Sequence, residues 1–322
     1  MALGEFDLIR NFFDRPGLRS HLNDVVGIGD DCALLSLQPN QQLAQSLDTL
    51  VEGVHFPQKC DPCLLGYRAL AVNLSDLAAM GAKPHSFTLG LTLPDSNDIW
   101  LQSFSDGLAE LASVHQVGLI GGDTTRGPLT ISIQVQGTLP KGQALRRNGA
   151  RVGDLIYVSG YLGDSAGALP DVLRGEGPKN ARTNEQSYLL ERYYRPTPRI
   201  ALGQWLLENG ATAALDISDG LLGDLGHILK ASQVGAELKL SSVPVSKELE
   251  GLLGSEKARE LALTGGDDYE LCFTWPDQKK LQLPDSLLAD NHVTCVGRIT
   301  SSSGLVDAET GQPLSPQAYQ HF

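Results

Sequence analysis

Apolar residues recur at two spacings along this chain, and the switches between them lay out most of its elements. In "DPCLLGYRALAVNLSDLAAMGA", Leu65, Ala69, Val72 and Leu77 fall at helical spacing, and Gly81 and Pro84 close the segment. "SNDIWLQSFSDGLAELASVHQ" and "TPRIALGQWLLENG" read the same way, the second with Gly210 as its C-cap residue. The N-terminal "MALGEFDLIRNFFDRPG" reads as a first amphipathic helix ended by Pro16-Gly17. Strand character marks "DVVGIGDDCALLSL" and "QQLAQSLDTLVEGVHF", with the polar turn "QPNQ" between them, then "HSFTLGLTLP", "VGLIGGDTT" and "LTISIQVQGTLP".

A polar, basic, glycine-containing stretch, "KGQALRRNGARVGD", interrupts this order and is the best linker candidate. Beyond it the strand "DLIYVSG" leads into "YLGDSAGAL", which opens a helix, and residues 175–187 look like a solvated loop. "ATAALDISDGLLGDLGHILKASQ" runs from a strand into a helix, and "ALTGGDDYELCFTW" and "HVTCVGRIT" are strands. Strands with intervening helices, some joined as hairpins, predict an α/β (α+β) architecture in each of two domains, over 1–140 and 150–322.

At 322 residues the chain is long enough for two domains, and 41% hydrophobic with 20% charged residues describes an ordinary soluble globular protein. No apolar run approaches the roughly 18–20 residues of a membrane helix, and the N-terminus lacks a secretory pattern, so the cytoplasm is expected. Five cysteines do not resemble a secreted framework. Cys60 and Cys63 form one C-x-x-C without further zinc ligands at suitable spacing, and Pro62 between them reads as the start of a helix. The net charge of −13 argues against duplex nucleic acid as a partner, since phosphate neutralisation needs clustered Lys and Arg.

The acids themselves are unusually placed. Asp30, Asp31, Asp48, Asp76, Asp123, Asp216 and Asp219 fall at strand ends or helix starts, several between apolar neighbours, as in "SLDTLV", "NLSDLA" and "ALDISDGLL". Each has a plain reading: Asp76 a solvent-facing helix residue, Asp219 an N-cap, Asp123 a turn cap, Asp48 an edge-strand charge. Together they suggest carboxylates that converge and are neutralised jointly, because an isolated carboxylate is costly to bury. Mg²⁺ takes oxygen ligands and usually shares them with substrate phosphates. Gly27, Gly29, Gly121, Gly122, Gly265 and Gly266 would let backbone N–H groups approach such phosphates. No Walker loop, protein-kinase signature or G-x-S-x-G elbow is present.

Seven ordered motifs, "GIGDDCA", "DTLVEGVHF", "NLSDLAAMGAKP", "GGDTT", "RNGARVGD", "DISDGL" and "GGDDYEL", closely resemble those of the thiamine-monophosphate kinases, in the aminoimidazole ribonucleotide synthetase superfamily. The resemblance implies a two-domain fold, each domain a mixed sheet packed with helices, and a homodimer whose N-terminal strands pair across the interface. It implies transfer of the ATP γ-phosphate to thiamine monophosphate, giving thiamine diphosphate and ADP, with several Mg²⁺ ions. By position, Asp30, Ser46, Leu47, Asp48, Asp76, Asp123, Asp216 and Asp219 match the family's metal-binding residues, Leu47 standing where Thr is common. Gly122, Asp123, Arg147 and Ser218 match its ATP contacts, and His55, Asp267 and Tyr319 its contacts to thiamine monophosphate. Asp48, Asp123 and Arg147 are the expected catalytic set. Asp267 replaces the usual Glu, and Ser105 stands where many members carry a Tyr near the nucleotide. Asp30 is expected to face the metals and Asp31 to point away.

The chemistry agrees with these residue types. The acceptor is already a phosphate anion, so no strong base is needed, and the obstacle is repulsion between two anions, which metals and Arg147 would relieve. The alternatives are a selenophosphate synthetase-like or hydrogenase-maturation member of the superfamily, or a non-catalytic nucleotide or metal sensor. The first usually has a reactive Cys or selenocysteine near its N-terminus and the second a cysteine tail, whereas here the first Cys is Cys32 and the chain ends in "AYQHF".

Overall fold

A computed structural model describes residues 5–20, 25–29, 32–288 and 291–315. The first helix, α1 (Glu5–Leu8), continues as a π-helical turn over Ile9–Phe13 that buries Phe12 and Phe13. The first strand expected from the sequence is instead a small antiparallel hairpin. In it β1 (Val25–Val26) pairs with β2 (Leu34–Leu35), the chain turning at Gly29 with φ +123°. Asp30 and Asp31 lie outside the described residues.

The first half then continues through β3 (Gln41–Val51), α2 (Pro62–Met80), β4 (Lys83–Leu93), α3 (Asp98–His115), β5 (Gly118–Arg126) and β6 (Thr130–Pro140). The four strands form one sheet in the order β3-β6-β4-β5, parallel only between β4 and β5. Helix α2 starts where "CDPC" predicted: Asp61 accepts the Cys63 N–H at 2.9 Å and Pro62 opens the first turn, while Gly81 closes the helix in the left-handed region. Gly66 and Gly107 let α2 and α3 meet backbone to backbone, since a Cβ on either would collide with a carbonyl of the other helix.

The second half comprises β7 (Leu155–Ser159), α4 (Asp164–Leu173), α5 (Asn184–Tyr194), α6 (Ile200–Asn209), β8 (Ala213–Ile217), α7 (Leu221–Ser232), β9 (Gly235–Leu238), α8 (Lys247–Leu253), α9 (Ser255–Thr264), β10 (Glu270–Trp275), α10 (Asp285–Leu288), β11 (Val293–Thr300) and β12 (Gly304–Asp307). Its sheet runs β12-β9-β11-β7-β10-β8, antiparallel except where β12 joins β9. Both halves are therefore mixed sheets packed with helices.

Two further expectations are corrected. Residues 175–187 do not stay a loop, because Thr183 caps α5: its hydroxyl accepts the Gln186 N–H at 3.1 Å, and the Gln186 side chain accepts the Arg182 N–H at 2.7 Å. "ALTGGDDYELCFTW" is not one strand, since its first residues end α9, 265–269 are irregular, and only Glu270–Trp275 extends.

Helix α2 is apolar around most of its circumference and buried on nearly every side, as expected for a helix inside a protein. Its core cluster takes in Leu70, Leu74 and Leu77 with Ile131 and Val135 of β6, and also Leu202 and Leu206 of α6 and Phe273 of β10. One helix therefore serves the cores of both halves. That position puts its few polar side chains at the junction.

Candidate active site

Two strands and a helix deliver carboxylates to that junction. Along β3 the side chains alternate, so Ser46 and Asp48 face inward while Leu47 points outward with 56% of its surface exposed. Asn73 of α2 fixes this edge strand, accepting the Asp48 backbone N–H at 3.0 Å through Oδ1 while its Nδ2 donates to the Ala69 carbonyl. One turn on, Asp76 accepts a 2.5 Å hydrogen bond from the Ser46 hydroxyl. Asp216 comes from β8, beside Ser75 of α2, and is buried.

These acids sense one another. Burial, and then the charge of Asp76, pushes Asp48 up to about 6. Burial and Asp76 likewise push Asp216 up to about 7, against the counteracting Ser75 hydroxyl. Asp76 itself is raised by burial, opposed by the Ser46 hydrogen bond and by the charge of Arg147. The set carries more negative charge than its surroundings neutralise.

The turn after β8 holds the next group. Asp224, in the first turn of α7, accepts the backbone N–H groups of Ser218 and Asp219 at 3.0 and 2.9 Å and so locks that turn. Burial drives Asp224 up to about 6, with Asp219 adding to the rise and Arg147 opposing it. Arg147 sits on a short 3-10 turn, Arg147–Gly149, with its side chain in solvent, and its field reaches both Asp76 and Asp224. Gly122 and Asp123 lie exposed on β5, on the wall of a cavity of about 660 Å³ that Phe13, Ile28 and Gly29 also line. Gly122 has φ +152° and runs against the Leu89 backbone so closely that no side chain fits. Ser105 does not belong to this wall: it is buried in α3, its hydroxyl on the Gln102 carbonyl.

On the other flank, His55 closes the turn after β3, its Nδ1 accepting the Val51 N–H at 3.0 Å. Asp267 and Tyr269 both have left-handed backbone, φ +71° and +52°, although neither is glycine. Their N–H groups donate to the carbonyls of Ser218 and Ile217, each at 2.8 Å, which ties "GGDDYEL" to the end of β8. Non-glycine residues in this region cost about 1–3 kcal/mol each and persist where neighbours over-determine them, commonly at functional sites. Tyr319 lies outside the described residues. Asn73, Ser75, Asp224 and the buried Arg68 and Tyr193 belong to the site's surroundings without having been singled out in sequence. Asn73 sits three residues before Asp76, on the same helical face, and Asp224 five residues after Asp219.

Burial holds the Cys60 thiol up to about 12, far from a reactive thiolate. The donors, from Asp48, Asp76 and Asp216, are hard carboxylate oxygens, all three raised first by burial, and Asp48 and Asp216 also by the charge of Asp76, so the chemistry of the set fits Mg²⁺. Among the described residues no three such side chains enclose an ion by themselves. Mg²⁺ needs no such cage, taking one or two carboxylates together with waters and substrate phosphates.

Comparison with known proteins gives the same direction. Residues 29–139 match the family model of the AIR synthase related protein N-terminal domain, and residues 151–306 match that of its C-terminal domain. The thiamine-monophosphate kinase of Escherichia coli (strain K12) is 49% identical over 330 aligned residues, covering 100% of this chain and 99% of that protein. The crystal structure of thiamine-monophosphate kinase from Stenotrophomonas maltophilia K279a superposes with a TM-score of 0.83 at 46% identity, over 91% of this chain and 93% of that one. AaThiL complexed with AMPPCP and TMP superposes with a TM-score of 0.79 at 28% identity, over 100% and 99% of the two chains.

Proposed function

Because this chain belongs to the thiamine-monophosphate kinase family, within the AIR synthase related proteins, we propose that it transfers the γ-phosphate of ATP to thiamine monophosphate, releasing thiamine diphosphate and ADP, by Mg²⁺-dependent in-line displacement. The observation that carries this reading is the convergence of Asp48, Asp76 and Asp216 from β3, α2 and β8 into one under-neutralised set. Purified protein given Mg-ATP and thiamine monophosphate should form thiamine diphosphate. No product at saturating substrates would refute it.

The residues divide the work by position. Asp30, Asp48, Asp76, Asp123, Asp216 and Asp219 would hold the metal, with Ser46 and the Leu47 backbone beside them. Bound Mg²⁺ would screen the phosphate charges and hold the triphosphate in line. Gly122, bare of any side chain, and Ser218, its turn locked by Asp224, would meet the nucleotide phosphates. Arg147, in solvent at the rim, would swing over the transferring group and oppose its charge. His55, Asp267 and Tyr319 would receive the acceptor, Tyr319 packing on the flat cationic part of thiamine. No general base is required, because the nucleophile is a phosphate oxygen already ionised at neutral pH.

We extend the proposal to a homodimer in the cytoplasm. Among the described residues strand β3 is an edge of its sheet, 11 residues long, with Leu43 and Leu47 exposed at 41% and 56%. Long edge strands with exposed apolar side chains invite pairing, and a second copy would cover this one. The five cysteines are all free, which suits a reducing compartment. No helix among the described residues is long and apolar enough to cross a membrane.

A further inference from the structure

Arg68 is a cation in the interior of α2, with only 3% of its side chain exposed. One guanidinium nitrogen donates to Asp267 Oδ1 at 2.7 Å, and another to the Tyr193 carbonyl at 2.5 Å. The guanidinium also stacks 4.0 Å above the Tyr193 ring and lies 5.7 Å from that of Tyr269. Tyr193 in turn donates its hydroxyl to the His55 carbonyl at 3.0 Å. Tyr269 donates its hydroxyl to Asp267 Oδ1 at 3.1 Å.

Every one of these contacts leads to one of two places: the Asp267 carboxylate or the turn that carries His55. These come from opposite halves of the chain and lie 212 residues apart (267 minus 55). A buried ion pair is a poor way to gain stability, since a well-packed apolar pair of similar volume commonly does as well. What the pair adds here is direction. Asp267 sits on strained left-handed backbone and has one methylene fewer than Glu to reach with, so its aim depends on what grips it. Arg68 and Tyr269 both grip Oδ1; among the described residues nothing donates to Oδ2, and 37% of the side chain stays exposed.

We infer that Arg68 is a positioning residue for acceptor recognition, aiming the Asp267 carboxylate directly and setting the His55 turn through Tyr193. The inference rests on the reading above, in which His55 and Asp267 face thiamine monophosphate. It assigns Arg68 no contact with either substrate. Lysine would keep the charge but not the planar fork that reaches a carboxylate and a carbonyl at once.

The test measures kcat, KM for ATP, KM for thiamine monophosphate and the calorimetric Kd of thiamine monophosphate for wild type, Tyr193→Phe, Arg68→Lys and Arg68→Met. Tyr193→Phe removes one neutral hydrogen bond and should raise acceptor KM and Kd about five-fold. Arg68→Met should raise them on the order of 100-fold, because Asp267 loses its charged partner, with Arg68→Lys between the two. KM for ATP should stay within about two-fold throughout, because the lost interaction serves acceptor binding alone. Acceptor affinity equal to wild type in Tyr193→Phe, or ATP and acceptor KM rising together, would overturn the inference, and Tyr193→Phe decides the matter if Arg68→Met does not fold. A wild-type protein that binds ATP but not thiamine monophosphate would overturn the acceptor reading and this inference with it. A wild type that binds both, with acceptor affinity unchanged in the variants, overturns the inference alone.

Discussion

Replacing Asp216 by asparagine should stabilise the metal-free protein at pH 8 while removing most of its turnover. Asp216 is pushed from 3.8 up to about 7, chiefly by burial and then by the charge of Asp76. At about 1.36 kcal/mol per pH unit, that displacement corresponds to at most about 4 kcal/mol of penalty for the ionised form. Part of it is shared with Asp76, and asparagine weakens the contact with Ser75, so about 2 kcal/mol is the expected net gain. For 322 residues at about 2.1 cal/mol/K per residue, this raises Tm by about 3 °C.

The sign follows from linkage. A carboxyl whose folded pKa is raised carries no penalty below its unfolded pKa near 4, and the penalty grows from there until pH reaches about 7, above which it is complete. Asparagine does not titrate, so the gain should be near zero at pH 4 and complete by pH 8. Scanning calorimetry in chelator at the two pH values reads this directly. A variant that melts no higher than wild type at pH 8, or higher by the same margin at both pH values, would refute the reasoning.

Other consequences are simpler. Asp48→Asn and Asp123→Asn should each lower kcat by about 100-fold or more with unchanged circular dichroism, and near-normal rates in both would contradict their roles. Mg²⁺ with nucleotide at about 100 times its Kd should add about 2.7 kcal/mol, or about 4 °C, over chelator-treated protein, and an unchanged melting curve would count against a shared metal site. Glu270→Gln should cost about 3 kcal/mol at pH 7 by denaturant titration, because it strips Arg192 and Arg199 of the carboxylate they both hold. Burial alone would raise Glu270, but the two arginines overcome this and hold it down to about 2. Its stabilisation is present above the unfolded carboxyl range and fades as pH falls toward 2, so the gap between variant and wild type should narrow between pH 4.5 and 2.

The elements with strong local signals were legible in sequence. Asp61-Pro62 and Gly81 bracket α2 by capping chemistry that involves only near neighbours. Where the reading failed, a short-range signal was misweighed or a long-range one was missing. Thr183 and Gln186 form a capping pair, yet the polar composition of 175–187 outweighed it. "GGDDYEL" has strand composition, but its backbone follows Ser218 and Ile217, about 50 residues earlier in the chain. No periodicity within a window reports such a partner.

The site divides along the same line. Spacing within one element could pair Asn73 with Asp76, or set Ser46 and Asp48 on the inner face of β3 and Leu47 on the outer. It could not bring β3, α2 and β8 together, because that depends on α2 being buried from both sides, in contact with β6 on one and with α6 on the other. An amphipathic helix would have shown one polar face and therefore one neighbour. Helix α2 has no such face, and its polar residues point separately: Asn73 and Asp76 toward β3, Ser75 toward Asp216, Arg68 toward Tyr193 and Asp267. Asn73 and Asp76 share the interface with β3, while Arg68 finds its partners in the second half of the chain. Burying polar groups on one helix is costly unless they are satisfied. A conservative change at any of them should therefore register as altered binding or chemistry as well as altered stability.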